Sequence, residues 1–134
     1  MLKRRAALIL LVAALLGLHG CSDDDSLSGV WTGAFSDSLG GFGGGNLTLR
    51  QSGAALEGSW EAVFQTFAGR AQYNNGGSLA GTVDGGSISL VMTSSQGSCS
   101  YHLDATRSGR KLSGTYAAID CATPQTGSVD LERI

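Results

Sequence analysis

Apolar and polar residues alternate with a period of two along most of the chain after residue 27. The clearest run covers residues 56–65, where the polar positions are interrupted only by Val63. Its alternate positions are small or apolar: Leu56, Gly58, Trp60, Ala62 and Phe64. Successive side chains of a β-strand point to opposite faces, so this run predicts a strand with one buried face and one solvated face. The same pattern predicts strands near residues 28–36, 46–51, 56–65, 78–83, 87–94, 99–107, 111–119 and 126–133.

A short motif, Leu-x-Gly followed by two further residues, recurs four times at the starts of these strands. It begins at Leu27, Leu56, Leu79 and Leu112. The glycine falls on the inward face, where the absence of a side chain lets a strongly coiled strand bend without a clash. These glycines therefore indicate positions at which a sheet curves into a barrel, rather than a phosphate-binding loop.

Short turn sequences separate the predicted strands, which favours antiparallel pairing of sequential strands. An up-and-down sheet of about eight strands can close on itself and remove both exposed edges. We therefore predict an all-β fold, a small antiparallel up-and-down β-barrel over residues 27–134, preceded by an N-terminal signal helix. Residues 38–46 are predicted to form a mobile glycine-rich hairpin loop at one mouth. Residues 67–77 are predicted to form a second loop, which either is simply solvated or rims a binding site.

The first 20 residues have the pattern of a secretory signal peptide. Lys3, Arg4 and Arg5 form a positive segment, and residues 6–16 are uninterruptedly apolar. Such a run is too short to cross a bilayer of about 30 Å as a helix. Residues 1–20 are therefore predicted to be cleaved from the mature chain.

The segment Leu18-His19-Gly20-Cys21 resembles the lipobox of bacterial lipoproteins. The resemblance implies cleavage before Cys21 and attachment of diacylglycerol, followed by palmitate, at that residue. By the same resemblance, Ser22 implies an outer-membrane lipoprotein, on the periplasmic side or the cell surface, with residues 21–26 as a lipidated, acidic tether. The alternative is an ordinary signal peptide followed by an unpaired cysteine.

The chain contains 3 cysteines, and lipidation of Cys21 would leave an even pair, Cys99 and Cys121. If residues 108 and 109 centre a hairpin, paired residue numbers sum to about 217–220, and those of this pair sum to 220. The two cysteines would then lie nearly opposite each other in an oxidising compartment, which predicts a structural disulfide. A redox or metal role is the alternative, although the spacing is not Cys-x-x-Cys.

Charge and motif content exclude several function classes. Signal cleavage removes three of the 9 basic residues and none of the 11 acidic ones, so the net charge moves from −2 to about −5. Nucleic acid is therefore not an expected partner. After cleavage His102 is the one remaining imidazole, on a predicted outward position two residues from Asp104. Since no catalytic or metal-ligand motif is present, we predict no enzymatic activity, no metal site and no cofactor.

Gly29-Val30-Trp31 at the head of the first strand, with Leu112-Ser113-Gly114-Thr115-Tyr116 opening a later one, resembles avidin- and lipocalin-type up-and-down barrels. The resemblance implies the fold and leaves the ligand open. Residues 32–36 lack the asparagine of a biotin site, so biotin binding does not carry over.

Small inward residues beside large aromatic ones predict a cavity for a small apolar or amphipathic ligand. The candidate ligand-binding residues are Trp31, Phe35, Trp60, Phe64, Tyr101 and Tyr116. The alternative is an envelope structural or interaction protein, with a filled barrel whose loops contact a periplasmic protein.

Overall fold

The computed structural model describes residues 26–39, 41–66 and 72–134, with backbone only at residues 66 and 72. The signal segment, Cys21 and residues 21–25 of the acidic tether lie outside the described residues, so the predictions made for them stay predictions. In the part of the chain that is described, no helix has the length and hydropathy needed to cross a membrane.

Eight strands form a single antiparallel sheet, and the last strand pairs with the first to close a barrel. The strands are β1 (Gly29–Asp37), β2 (Gly41–Ser52), β3 (Ala55–Thr66), β4 (Gln72–Asp84), β5 (Ser87–Ser94), β6 (Ser100–Ser108), β7 (Lys111–Ala118) and β8 (Thr126–Arg133). Their spatial order is their sequence order. The predicted all-β, eight-stranded up-and-down barrel is confirmed, and with it the fold implied by the resemblance to avidin- and lipocalin-type barrels.

The cysteine pair confirms the predicted hairpin register. Strands β6 and β7 pair Ser108 with Lys111 and Tyr101 with Ala118, so that paired residue numbers sum to 219. Just beyond this ladder a disulfide joins Cys99 to Cys121, with Cα atoms 4.7 Å apart. The bridge connects the β5–β6 and β7–β8 segments at one end of the barrel.

Two strands begin earlier than the alternation predicts. Strand β2 starts at Gly41 and β4 at Gln72, so the interpretation of residues 41–46 and 72–77 as loops is wrong. Residues 40 and 67–71 of the two predicted loops lie outside the described residues. The glycines of residues 41–46 and 72–77 hide the period of two, but they suit a strand that packs tightly. A Cβ atom at Gly45 would lie 2.8 Å from the Phe35 ring and 2.4 Å from the carbonyl oxygen of Glu61. The missing side chain is thus what lets β2 approach its neighbours.

One end of the barrel is closed by Trp31, which is fully buried. Its indole nitrogen donates a 2.9 Å hydrogen bond to the carbonyl oxygen of Leu27. The guanidinium groups of Arg133 and Arg107 lie 4.8 and 5.7 Å from the ring centroid. Both arginines also donate to the carbonyl oxygen of Ser26. We call this the closed end; β1 begins there and β8 ends there.

The middle of the barrel is filled by branched aliphatic side chains. Buried members of this layer are Leu47, Leu49, Leu56, Leu79, Ile88, Leu90, Leu103, Leu112, Val129 and Leu131. Burying each contributes about 1.5–3 kcal/mol relative to exposure. We call the opposite end the open end. There β1 ends at Asp37, β8 begins at Thr126, and the β5–β6 and β7–β8 segments connect their strands.

Candidate functional site

A cavity of about 300 Å³ lies at the open end of the barrel. It is lined by Phe35, Asp37, Leu39, Trp60, Phe64, Tyr73, Asn75, Met92, Tyr101, Tyr116 and Gln125. Its volume is at the lower limit of small-molecule sites, which are mostly apolar with a few placed polar groups. The lining has that composition, and Asp37 is its one formally charged member.

Six aromatic rings form most of the cavity wall, and several of them meet nearly at right angles. Trp60 and Tyr101 have ring centroids 5.9 Å apart with an interplanar angle of 80°. Tyr101 and Tyr116 follow at 5.7 Å and 86°. On the other side Phe64 meets Phe35 edge-on at 6.2 Å. These edge-to-face contacts are favourable between aromatic rings and hold the wall in a fixed shape.

Tyr73 extends the aromatic wall to the solvent edge. It stacks on Phe64 with ring centroids 5.0 Å apart and an interplanar angle of 16°. Strands β3 and β4 pair these two residues directly. Because Tyr73 is 38% exposed, it marks the rim of the cavity rather than its interior.

The carboxylate of Asp37 is the polar centre of the cavity and is only 4% exposed. Its Oδ2 atom accepts hydrogen bonds of 2.6 Å from the Tyr116 hydroxyl and from Nε2 of Gln125. Its Oδ1 atom accepts a 2.9 Å bond from the backbone N–H of Leu39. All three donors are neutral, and no lysine, arginine or histidine of the described residues forms an ion pair with Asp37.

A chain of side-chain hydrogen bonds continues from Asp37 across the open end. Gln125 accepts a 3.2 Å bond from the hydroxyl of Tyr101, which in turn accepts from Nδ2 of Asn75 at 3.5 Å. Asn75 Oδ1 then accepts a 2.7 Å bond from the Ser94 hydroxyl. The network ties β1, β4, β5, β6 and the β7–β8 segment together, which fixes the side chains that face the cavity.

All 3 tyrosines of the chain line this cavity. Burial raises the pKa of Tyr73 and of Tyr101, and the negative charge of Asp37 raises each further. Burial also raises the pKa of Tyr116, far above its ordinary value, and its hydrogen bond to Asp37 adds to the effect. The phenols therefore stay protonated through the neutral range, and those of Tyr101 and Tyr116 donate hydrogen bonds to the protein.

Two local features place Tyr116 and Gln125. Gly127 of β8 lies opposite both Tyr116 and Asp37, and a Cβ atom there would come within 2.1 Å of the Tyr116 ring. The glycine thus leaves the space that the ring occupies. The disulfide at Cys121 restrains the irregular segment that carries Gln125 into the cavity.

The structure brings five of the six predicted ligand-binding residues to the cavity: Phe35, Trp60, Phe64, Tyr101 and Tyr116. Trp31 lies at the closed end, packed against two arginines, and does not line the cavity. Contact of any of these side chains with a ligand stays a prediction.

Asp37, Asn75 and Gln125, the polar half of the site, were not among the candidate ligand-binding residues, although Asn75 lies in the segment 67–77 that was predicted either to be solvated or to rim a binding site. A signal existed for two of them. Counting every second residue on from Phe35 reaches Asp37, and counting back from Leu79 reaches Asn75 and then Tyr73. Gln125 precedes β8 in an irregular segment, so the two-residue period of a strand does not predict its position.

His102 faces outward, as predicted, and has two neighbours on the barrel surface. Its Nε2 atom lies 2.8 Å from the Ser89 hydroxyl and 3.4 Å from Oδ1 of Asp104. One ring nitrogen contacts both groups, whereas a Ser-His-Asp relay uses the two nitrogens separately. In the described ranges no three His, Cys, Asp or Glu side chains converge on a possible metal position. Absence of catalysis and of a metal stays a prediction.

The sequence matches no protein-family model and no curated protein. The cavity, with its aromatic wall and single carboxylate, is the feature of the described residues that points to a function.

Proposed function

We propose that this protein is a membrane-anchored lipoprotein that binds a small amphipathic molecule in the open end of its barrel. The observation that carries the proposal is the cavity of about 300 Å³ walled by aromatic side chains. An apolar ligand body would exchange contact with water for contact with these rings, which is favourable in proportion to the area buried.

The geometry limits the size of the ligand. The closed end and the aliphatic layer fill the rest of the barrel, with Trp31, Leu90 and Leu103 all at 0% exposure. Since a water molecule occupies about 30 Å³ in the liquid, the cavity accommodates on the order of ten non-hydrogen atoms. A long-chain lipid is too large for it, whereas a single ring with a short substituent fits.

The cavity also favours this proposal over the alternative of a structural protein with a filled barrel. A filled barrel would bring large side chains together at both ends. Here the aromatic residues surround a space at the open end. The chain of hydrogen bonds that links Asp37 to Ser94 through three intervening side chains holds them apart. The fixed network favours a preformed binding site.

Sequence and disulfide together support an envelope location. The lipobox-like segment supports lipid attachment at Cys21 and residence at the outer membrane. The Cys99–Cys121 disulfide supports export, because such bonds form and persist in oxidising compartments. The acidic charge of the mature chain supports the further proposal that nucleic acid is not a partner.

Titration with 2-phenylethanol, followed by tryptophan emission and calorimetry, tests ligand binding. The chain has 2 tryptophans: Trp60 lines the cavity, and Trp31 lies at the closed end. We expect saturable binding that changes the emission of the wild type. In the Trp60→Phe variant the remaining Trp31 emission should not respond. Absence of binding by this alcohol and also by its size-matched amine and carboxylate, 2-phenylethylamine and phenylacetate, would overturn the proposal, as would an equal response in Trp60→Phe.

A further inference from the structure

We propose that the ligand is an organic cation, with an ammonium group placed beside Asp37 and an apolar body held among the aromatic rings. The inference rests on the proposed function and adds the chemical class of the ligand. Three observations support it: the bonding of the carboxylate, the direction of the hydroxyl protons, and the arrangement of the rings.

The first observation is a buried carboxylate whose bonded partners are all neutral. Asp37 is 4% exposed and accepts three hydrogen bonds, from Tyr116, Gln125 and the Leu39 backbone. A carboxylate has about four acceptor positions, so one on Oδ1 is left over. A buried charge is costly unless it is paired, and the described residues supply no cation to it. A cationic ligand group would provide the missing pair.

The second observation is that the hydroxyl protons of Tyr101 and Tyr116 are directed at the protein. Tyr116 uses its one proton on Asp37, and Tyr101 uses its proton on Oε1 of Gln125. The Tyr116 oxygen consequently keeps its lone pairs for the cavity, and the Tyr101 oxygen, which also accepts from Asn75, keeps one. The polar surface next to Asp37 is therefore rich in acceptors, and it suits a ligand that donates, such as an ammonium group.

The third observation is the aromatic enclosure. Trp60, Tyr101 and Tyr116 stand at 80–86° to their neighbours, so different rings present a face and an edge to the same space. The faces of aromatic rings attract cations. The closed end of this barrel shows such a contact, with Arg133 lying 4.8 Å from the Trp31 centroid.

Together these features discriminate by charge. A carboxylate ligand would place its negative charge near Asp37 and among acceptor oxygens, which is unfavourable at this burial. A neutral alcohol of the same shape would gain the ring contacts without the ion pair. An amine would gain both.

Three probes of matched size test the inference on the mature wild-type chain at pH 7: 2-phenylethylamine, 2-phenylethanol and phenylacetate. We expect calorimetry to show at least tenfold tighter binding of the amine than of the alcohol, with phenylacetate weakest. Equal affinity for amine and alcohol, or preference for phenylacetate, would overturn the inference and leave the proposed function intact. If none of the three binds, the proposed function itself fails.

The variant Asp37→Asn removes the charge and keeps the shape, and Asp84→Asn makes the same change at the exposed last residue of β4, at the closed end. We expect Asp37→Asn to lose the preference for amine over alcohol while still binding the alcohol, and Asp84→Asn to keep the preference. A preserved amine preference in Asp37→Asn would contradict the inference. Should Asp37→Asn fail to fold, the comparison of the three probes on wild-type protein still decides.

Discussion

The hydroxyl of Tyr116 on β7 and the carboxylate of Asp37 on β1 meet at 2.6 Å across the intervening strand β8. The two residues are opposite the same position of β8, Gly127, which has no side chain to separate them. The side chains of β1 and β7, which are not adjacent strands, can therefore make contact only because the residue between them on β8 is glycine. This relationship fixes the polar side of the cavity.

Replacing Gly127 with alanine should destabilise the barrel and disturb the cavity. The new Cβ atom would lie 2.1 Å from the Tyr116 ring and 2.3 Å from the carbonyl oxygen of Ser36, so the ring or the strand must move. Forced overpacking of this kind costs about 1–3 kcal/mol. Urea denaturation measures the loss. The matched control is Gly44→Ala, where the nearest atom to the new Cβ is 3.4 Å away; equal effects of the two changes would contradict the expected clash.

Stability should decline with pH above about 10, and Tyr116 should contribute to the decline. The phenol ionises near pH 10 in the unfolded chain, and burial together with the bond to Asp37 raises its pKa in the folded chain. The folded state therefore holds the proton longer. The resulting stabilisation is fully present below about pH 10. It is lost as pH rises further, because the unfolded chain then releases one proton that the folded chain still holds. Urea midpoints from pH 8 to 11 should fall more steeply for wild type than for Tyr116→Phe, and parallel curves would refute this.

Loss of the disulfide should weaken the open end. The bridge closes a sequence separation of 22 residues, and the chain-entropy model assigns about 3 kcal/mol to a loop of this length. The double variant Cys99→Ser, Cys121→Ser should lose about that much stability, measured by urea denaturation. Peptide mapping without reductant should recover the two cysteines as one linked pair in the wild type. A free thiol at either position would contradict the bridge.

Replacing Cys21 with serine should abolish lipid attachment. Serine has no thiol to carry the diacylglycerol that the lipobox resemblance implies at this position. Labelling of cells with radioactive palmitate should mark the wild type and leave Cys21→Ser unmarked. Cys121→Ser serves as the control, because it also removes a cysteine but should still be labelled. Continued labelling of Cys21→Ser would rule out lipidation at this residue.

The sequence was sufficient for the fold where side chains alternate visibly. Leu56 to Phe64 and Ile88 to Met92 predicted strands that the structure confirms, as β3 and β5. The prediction failed in residues 41–46 and 72–77, because glycine and asparagine there hide the alternation of apolar and polar side chains on the two faces of the strand. Strand formation there depends on the neighbouring strands and their close approach, which no local pattern records.

The site was only half predictable for a related reason. Aromatic residues on the inward face, such as Trp60 and Tyr101, follow from the same period as the strands. Which end of the barrel each residue reaches does not, and that is why Trp31 was grouped with the cavity residues. Its role is decided by Arg133, which is distant in sequence and adjacent only because β1 and β8 pair.

The point at which the chain enters the barrel determines how the cavity is presented. Ser26 is held at the closed end by Arg107 and Arg133, on the side opposite the cavity. Five residues reach at most about 17 Å when fully extended, so an acyl anchor on Cys21, as proposed, would keep Trp31 close to the bilayer. The mouth would then face outward into the aqueous space, and its ligand would arrive by diffusion through water rather than by lateral transfer from the membrane.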